Sequence, residues 1–440
     1  MGPMASTLDR PGTPLRLTPA SRLRLAAAVG AGRMAATVSR LTGKGSGASI
    51  RGQVMTRIDP DALAKLLSGR RIAAVSGTNG KTTTTHLLAA AIRAGLAPAR
   101  ADRIVTNADG ANLHYGIASA LSQAPTADIA VLETDERVVA DMIRLGRPEV
   151  LVLLNFSRDQ LDRNHEIKKL ARSWRDALEA AGEDGPVVVG NAEEPLVVWA
   201  AQTAKQVVWV DTASTWQEDA TMCPACGAIL IRRNPDPASG DPGDWDCPGC
   251  DLTEPAASIR VENGQIIDQR GIAHDPQLQV PGGFNVGNAA CALAAAQLMG
   301  VSTEEALAGM RTVHSPAGRF ATATFGTTTA RLLLAKNPAG WHEALPLLGT
   351  STVVLAIDAV AADGRDLSWM WDVDYEQLAG KDIIATGPRA QDLAVRLAYA
   401  EVPCRVVPDL SEALAGHPDP VDVLSTYTPF QKLRKLGGLA

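Results

Sequence analysis

No run of the 440 residues is long and apolar enough for a membrane-spanning helix, so no span is expected. Six cysteines are too few to suggest a disulfide scaffold in a chain of this length. Four of them fall into two Cys-x-x-Cys pairs, which points to metal and a reducing compartment. A net charge of -6 offers no whole-chain attraction for nucleic acid or an anionic membrane. No long internal repeat is evident, and no Ser-His or Cys-His nucleophilic set is visible. What remains is an ordinary globular composition, 46% hydrophobic, in a chain long enough for two or three domains.

The most informative stretch is Ala73-Ala-Val-Ser-Gly-Thr-Asn-Gly-Lys-Thr-Thr-Thr-Thr85. Apolar β-formers run into Ser76, a glycine turn follows, and Leu87, Leu88, Ala91 and Ile92 then recur at helical spacing. Strand, glycine loop and helix together make a phosphate cradle. Gly77 and Gly80 let backbone N–H groups turn inward, and the helix N-terminus adds partial positive charge. Lys81 can reach the β/γ-phosphates and the Thr82 hydroxyl can hold Mg²⁺. Val75 stands where the general G-x-x-x-x-G-K-[ST] pattern has its first glycine. An ordinary strand–helix turn is the competing reading.

Strand and helix alternate from about 56 to 220. Strands are expected at Ile72–Ser76, Ile129–Glu133, Val150–Asn155 and Val187–Gly190, and helices over 81–94, 111–122 and 166–181. This alternation predicts an α/β fold with a parallel sheet, and ligands then sit at the carboxyl ends of strands. Glu133 and Asn155 fall at such ends, and Asp135-Glu-Arg137 follows the first. A hairpin is expected at 257–268, turning at Glu262-Asn-Gly-Gln265. A helix is expected over 285–299. A second strand–helix series from about 320, with strands at Val353–Ile357, Ile383–Thr386, Val406–Val407 and Val421–Leu424, reads as a smaller C-terminal α/β domain. The division is 1–50 for a basic N-terminal helix and linker, 51–318 for a nucleotide-binding central domain, and 319–440 for the C-terminal domain.

In the first fifty residues Arg10, Arg16, Arg22, Arg24, Arg33, Arg40 and Lys44 face only Asp9. Leu23, Leu25, Val29, Met34, Val38 and Leu41 form part of an apolar helical stripe. The composition is also that of a transit peptide, while the interrupting charges argue against a signal peptide. The preferred expectation is a helix that docks on the body or lies on a surface, with a membrane surface as the minor alternative. Gly43-Lys-Gly-Ser-Gly47 reads as a flexible link.

Cys223-Pro-Ala-Cys226 and Cys247-Pro-Gly-Cys250 have the spacing of a tetrahedral Cys₄ zinc site. Four thiolates close the coordination shell, so this zinc is expected to be structural, stapling an insertion at 221–253 that has little core of its own. Cys291 and Cys404 read as core residues. Leu154-Asn-Phe-Ser-Arg-Asp-Gln-Leu-Asp-Arg163 places Asn155, Asp159, Gln160 and Asp162 at a strand end, where carboxylates could hold Mg²⁺ or its waters. A helix cap with solvated acids would explain the same residues. Glu133 is a Mg²⁺ ligand if the phosphate loop is one, and a surface acid otherwise.

Taken together, these pieces resemble the Mur ligase family. Ser76-Gly-Thr-Asn-Gly-Lys-Thr82 looks like its nucleotide loop, Glu133 matches its Mg²⁺-binding glutamate, and Gly283-Phe-Asn-Val-Gly-Asn288 matches its Asn-x-x-Asn motif beside the adenine. Arg319 matches an arginine after the hinge into the C-terminal domain. The likeness is closer to the MurT subfamily, the ligase subunits of lipid II isoglutaminyl synthases. That subfamily shares a Cys₄ insertion, Arg158-Asp-Gln-Leu-Asp-Arg163, Ala335-Lys-Asn-Pro-Ala-Gly340, Ala362-Asp-Gly-Arg-Asp-Leu-Ser-Trp369 and Asp109-Gly-Ala-Asn112. Gln160 stands where other Mur ligases have histidine, and neither Lys168 nor Lys169 can be assigned as a counterpart of their carbamylated lysine.

The resemblance implies a Mur-ligase-like central parallel sheet with a phosphate loop, a zinc-ribbon insertion and a smaller C-terminal α/β domain. It implies ATP on Gly77, Thr78, Asn79, Gly80, Lys81, Thr82 and Thr83, with Asn285, Asn288 and Arg319, and Mg²⁺ on Thr82 and Glu133. It further implies ATP-dependent amidation of the D-glutamate α-carboxylate of lipid II in peptidoglycan synthesis. The intermediate would be an acyl phosphate, and a glutamine amidotransferase partner in a heterodimer would supply the ammonia. Asp366 is the position whose counterpart is proposed to complete the partner's Cys-His pair. A cytoplasmic place at the inner face of the membrane follows, with no nucleic acid bound. An amino-acid-adding ligase of Mur or folylpolyglutamate type is the enzyme alternative. A zinc-ribbon nucleic-acid-binding ATPase is the alternative from another class, opposed by the acidic net charge.

Overall fold

The computed structural model describes residues 15, 17–41, 48–107, 111–158, 167–236, 242–314, 320–360 and 363–439. The chain forms two units, one of residues 1–156, 168–279 and 283–317, the other of 157–167, 280–282 and 318–440.

The first unit starts with helices α1 (Pro19–Leu41), α2 (Ala48–Ile58) and α3 (Ala62–Leu67). They lead into β1 (Arg71–Ser76), α4 (Lys81–Gly95), β2 (Ile104–Thr106), α5 (His114–Gln123), β3 (Ile129–Glu133), α6 (Val139–Asp141) and β4 (Val150–Leu153). Next come α7 (Ile167–Ala181), β5 (Val187–Asn191), α8 (Pro195–Ala201) and β6 (Gln206–Asp211). The remainder is β7 (Ile231–Arg233), β8 (Asp244–Asp246), β9 (Ile259–Glu262), β10 (Gln265–Ile267), β11 (Ala273–His274), α9 (Phe284–Leu298) and α10 (Thr303–Met310).

Strands β1, β3 and β4 are buried along their whole length, which is why they read as continuous apolar runs rather than alternating ones. Their sheet has the order β11-β10-β9-β6-β5-β4-β1-β3-β2. It is parallel from β2 to β9 and turns antiparallel at β10 and β11. Ala73, Val75, Val131 and Val152 share one buried cluster with Leu87, Leu88 and Ile92 of α4, Ala289–Ala296 of α9 and Met310 of α10. Helix α9 is apolar on nearly every side and is correspondingly buried.

The strand expected to reach Asn155 stops at Leu153, and the helix expected from 111 starts at His114. Strand β6, with its Val207-Val-Trp-Val210 run, was not foreseen; it joins β5 to β9. The 262–265 hairpin turns at Asn263 (φ 49) and Gly264 (φ 75), the double left-handed turn that suits twisted strands.

Helix α1 divides its apolar stripe, with Leu25 and Val29 half-buried. Its buried residues are the small ones, Ala28, Gly32 and Ala36. It lies close on α2, where a Cβ on Gly32 would stand 2.8 Å from the Arg51 carbonyl oxygen. Leu23, Met34, Val38 and Leu41 are exposed. Arg10, Arg16, Lys44 and the 43–47 link lie outside the described residues.

The second unit comprises β12 (Phe320–Phe325), β13 (Thr328–Leu334), α11 (Pro338–Ala344), β14 (Thr352–Ala356), β15 (Asp382–Thr386), α12 (Ala390–Tyr399), β16 (Cys404–Val406), α13 (Leu410–Ala413), β17 (Val421–Ser425) and α14 (Tyr427–Leu436). Its sheet runs β12-β13-β17-β14-β15-β16, with β12–β13 an antiparallel hairpin and the rest parallel. Among the described residues, no helix is long and apolar enough to cross a membrane.

Candidate functional site

The carboxyl ends of β1, β3 and β4 converge on the glycine loop. After Ser76 the backbone turns through Gly77 and reaches Gly80 in the left-handed region (φ 81), from which α4 starts at Lys81. Gly80 is required there twice over. A side chain would be strained at that φ, and its Cβ would stand 2.4 Å from Asn288 Oδ1. Asn155 braces the loop from β4: its carbonyl accepts from Thr78 N at 2.9 Å, its Oδ1 accepts from Asn79 N at 2.8 Å, and its Nδ2 donates to Asn79 O at 3.3 Å. The residue expected beside metal-binding acids therefore holds the loop backbone.

Thr82 and Glu133 meet at the floor of this site. Thr82 Oγ1 donates to Glu133 Oε2 at 2.9 Å, and both residues are buried. Asn112 Nδ2 donates to Glu133 Oε1 at 2.9 Å. Asn107 fixes the Glu133 backbone, accepting from Glu133 N and donating to Glu133 O, each at 2.8 Å. Two oxygens at this separation match neighbouring corners of an octahedron with bonds of about 2.1 Å, so the pair fits a Mg²⁺ ion.

The Lys81 ammonium lies folded back on its own loop, donating to Gly77 O and, at 3.1 Å, to Thr78 O. It also pairs with Glu136 Oε2 at 3.3 Å, and both side chains are buried. Glu136 was not singled out from sequence beyond its place in Asp135-Glu-Arg137; its signal was the cluster of acids just past a buried strand. Beside it, Asp135 is held below the ordinary carboxylate range. Burial opposes its charge, but hydrogen bonds from Arg137 and the Arg137 and Lys81 charges outweigh that. On α9, Asn288 Nδ2 donates to Asn285 Oδ1 at 2.9 Å; both are buried, and Asn288 stands against Gly80.

The four cysteines also come together. Cys223 and Cys250 Sγ lie 3.6 Å apart, Cys226 and Cys247 Sγ 3.3 Å, and all four sulfurs lie within 4.8 Å of one another. A tetrahedron with Zn–S bonds near 2.3 Å has edges of about 3.8 Å, so the cluster could hold a metal ion of that kind. Each pair sits in a closed turn. Gly227 N donates to Cys223 O at 2.9 Å, Cys223 N to Ala228 O at 2.8 Å, and Cys247 N to Leu252 O at 3.0 Å. Burial works against the Cys247 thiolate, yet the Gly249 N–H and the other thiols draw its pKa down to about 7. The β7–β8 ribbon is anchored by Trp245, which is fully buried and donates from Nε1 to Ala192 O at 3.1 Å.

Asp366 belongs to the second unit. It is exposed, and its Oδ1 accepts from Ser368 N at 2.9 Å. Neighbouring Asp363 is buried instead, with Oδ1 accepting from Thr428 N at 2.7 Å. Cys291 is buried in α9 and Cys404 half-buried in β16. Arg319, Asp159, Gln160, Asp162, Arg163, Asp109, Gly110 and Ala362 lie outside the described residues.

Two family descriptions match the chain: the Mur ligase middle domain at residues 75–223 and the MurT ligase C-terminal domain at 334–430. The chain is 30% identical over 409 residues to the MurT subunit of lipid II isoglutaminyl synthase (glutamine-hydrolyzing) from Staphylococcus aureus, covering 87% of this chain and 90% of that protein. It is 28% identical over 423 residues to the subunit of the same name from Streptococcus pneumoniae, covering 89% and 92%. Its fold is similar to a pseudomurein peptide ligase type C from Methanothermus fervidus, with a TM-score of 0.63 at 17% identity over 83% of this chain and 78% of the other. MurF from Acinetobacter baumannii gives a TM-score of 0.58 at 18% identity, over 89% and 80%.

Proposed function

The chain belongs to the MurT family of Mur ligases, and from that premise we propose that it is the ligase half of a lipid II amidating enzyme. The observation that carries this reading is the convergence of Lys81, the loop amides, Thr82 and Glu133 at the carboxyl end of a parallel sheet. That arrangement is built for phosphoryl transfer from ATP.

The α-carboxylate of D-glutamate in the stem peptide attacks the γ-phosphate of ATP, giving an acyl phosphate and ADP. Ammonia then attacks the acyl carbon and phosphate leaves, so the carboxylate becomes an amide. Lys81 moves from its loop carbonyls and Glu136 onto the phosphates, where its charge offsets the charge on the transferred group. Mg²⁺, held by Thr82 and Glu133, would neutralise phosphate oxygens when bound. Asn285 and Asn288 set the far wall of the loop, and Arg319 is assigned to the nucleotide with them. The substrate carboxylate is itself the nucleophile, so the chain needs no serine or cysteine for this task.

A glutamine amidotransferase subunit supplies the ammonia, and exposed Asp366 is assigned to orient that partner's catalytic histidine. A lipid-borne substrate places the enzyme at the inner face of the cytoplasmic membrane. Zinc on Cys223, Cys226, Cys247 and Cys250 is structural in this reading.

The test is reconstitution. The chain and an amidotransferase subunit, given ATP, glutamine and lipid II, should form the amidated product by mass spectrometry, together with ADP. ADP formation that requires a free amino acid in place of ammonia would instead make the chain an amino-acid-adding ligase.

A further inference from the structure

Helix α1 turns most of its large apolar residues away from the protein. Its inward face fully buries only Ala28, Gly32 and Ala36, with Leu25 and Val29 half-buried beside them. The face toward solvent is large and apolar: Leu23 is 73% exposed, Met34 67%, Val38 59% and Leu41 82%. At about 100° per residue, Leu23, Met34 and Leu41 fall within one narrow sector. Exposed Ala27 and Gly30 lie among them, and Val38 borders them.

Arg22, Arg33 and Arg40, all exposed, fall together along one flank of that stripe, and Arg24 lies on the other. Arg51 of α2 stands beside Arg33 and Arg40. Its own burial and the two neighbouring charges push its guanidinium below its ordinary value. No aspartate or glutamate occurs between Arg10 and Ile58. Among the described residues none of these arginines pairs with a carboxylate; Arg33 donates to Ser122 O and Arg24 to Ile58 O instead.

We propose that this face is a docking surface for an anionic bilayer. The stripe of Leu23, Met34, Val38 and Leu41 lies in the acyl boundary, and Arg22, Arg33, Arg40 and Arg51 take the lipid phosphates. A helix lying in the interface needs both features on adjoining sectors, and long arginine stems let the charge stay wet while the apolar edge sinks. The arginines interrupt the helix too often for it to cross. A second copy of the chain fits the face poorly, because a two-fold contact would bring the arginine row near itself with no acid from either side. The proposal goes beyond the ligase reading and does not depend on it, since docking requires neither ATP nor a peptide substrate.

Co-sedimentation of the full chain with vesicles tests it. Binding is expected to phosphatidylcholine vesicles containing phosphatidylglycerol, to be slight with phosphatidylcholine alone, and to weaken as salt is raised. Arg22→Gln with Arg40→Gln should weaken it about 25-fold, from roughly fivefold per arginine near an anionic surface. Leu23→Gln with Met34→Gln should weaken it comparably without the same dependence on lipid charge. Both variants should keep the parent's thermal melt and its ADP release with a water-soluble substrate. Equal binding to both vesicle types, no binding to either, or binding unchanged by both variants would overturn the proposal. A dimer in analytical ultracentrifugation that the leucine–methionine variant dissociates, without vesicle binding by the parent, would assign the face to a second copy.

Discussion

Replacing Cys247 by serine removes one of four converging sulfurs and tests the metal reading at its most structural point. Purified without added metal, the parent should carry about one zinc per chain, as a closed thiolate site requires. The variant should lose most of it. The mechanical consequence follows from the ribbon's small core: among its described residues the buried apolar side chains are Leu230, Trp245 and Leu252, with Cys223 and Cys247 buried as well. Trp245 lies in β8 two residues before Cys247, and its ring is the ribbon's anchor on Ala192. A tryptophan buries about 200 Å², so full release of that ring would cost about 5 kcal/mol at roughly 25 cal/mol per Å². A ribbon that loosens but keeps the ring half-covered would cost about half as much. The assay is elemental analysis with a urea titration followed by tryptophan fluorescence, using Trp245→Phe to identify the ring's signal. The unfolding midpoint should fall and the Trp245 emission should move to longer wavelength. ADP release by variant protein that remains folded should fall far less than its stability, because the phosphate loop stands at other strand ends. Metal-free parent protein with four freely titrating thiols, or a variant as stable as the parent, would refute the reasoning.

Lys81→Ala should lower substrate-dependent ADP release by about 100- to 1000-fold, the loss expected when a charge-stabilising group leaves a transition state, with an unchanged circular dichroism spectrum. Glu136→Gln should raise the KM for ATP or lower kcat by a smaller factor, with Asp at that position failing to restore the parent values; kinetics equal to the parent's would remove Glu136 from the site. Gly80→Ala should cost about 1–2 kcal/mol in thermal stability from the left-handed backbone alone, and should weaken nucleotide binding in calorimetry by displacing Asn288. Asp366→Asn should suppress glutamine-driven amidation in the reconstituted complex by a hundredfold or more, on the order seen when a triad carboxylate is lost, while amidation driven by ammonium salts survives. Glu194 is pushed up to about 8 by burial first, then by Asp219 and Glu193, so the folded chain holds a proton that the unfolded chain has released above its ordinary value. Its contribution is therefore lost as pH rises toward 8, and Glu194→Gln should stabilise the protein at pH 8 but not at pH 5. The difference should approach 1.4 kcal/mol per pH unit across that window by chemical denaturation.

Local features were legible because their physics is local. The strand–glycine–helix succession at 71–95 and the convergence of the two Cys-x-x-Cys turns are each encoded within short stretches of sequence. Glu133 could be placed at a strand end because an uninterrupted apolar run stops there. The Asn263–Gly264 turn could be placed because few dipeptides adopt two left-handed conformations in a row.

Tertiary structure decided which distant groups share a site. Asn155 reaches the loop from 76 residues away and Asn288 from the first turn of α9, contacts that no periodicity encodes. Glu136 meets Lys81 only because β3 lies beside β1 in a parallel sheet, so that the ends of two strands with α4, β2 and α5 between them in the chain open on the same edge. Helix α1 shows the same limit from the other direction. Its sequence announced an apolar stripe on a helix that docks on the body or lies on a surface, without saying which large residues turn inward. Leu25 and Val29 turn inward and are half-buried, while the fully buried positions are Gly32 and two alanines, where the backbones of α1 and α2 approach closely enough to exclude bulk.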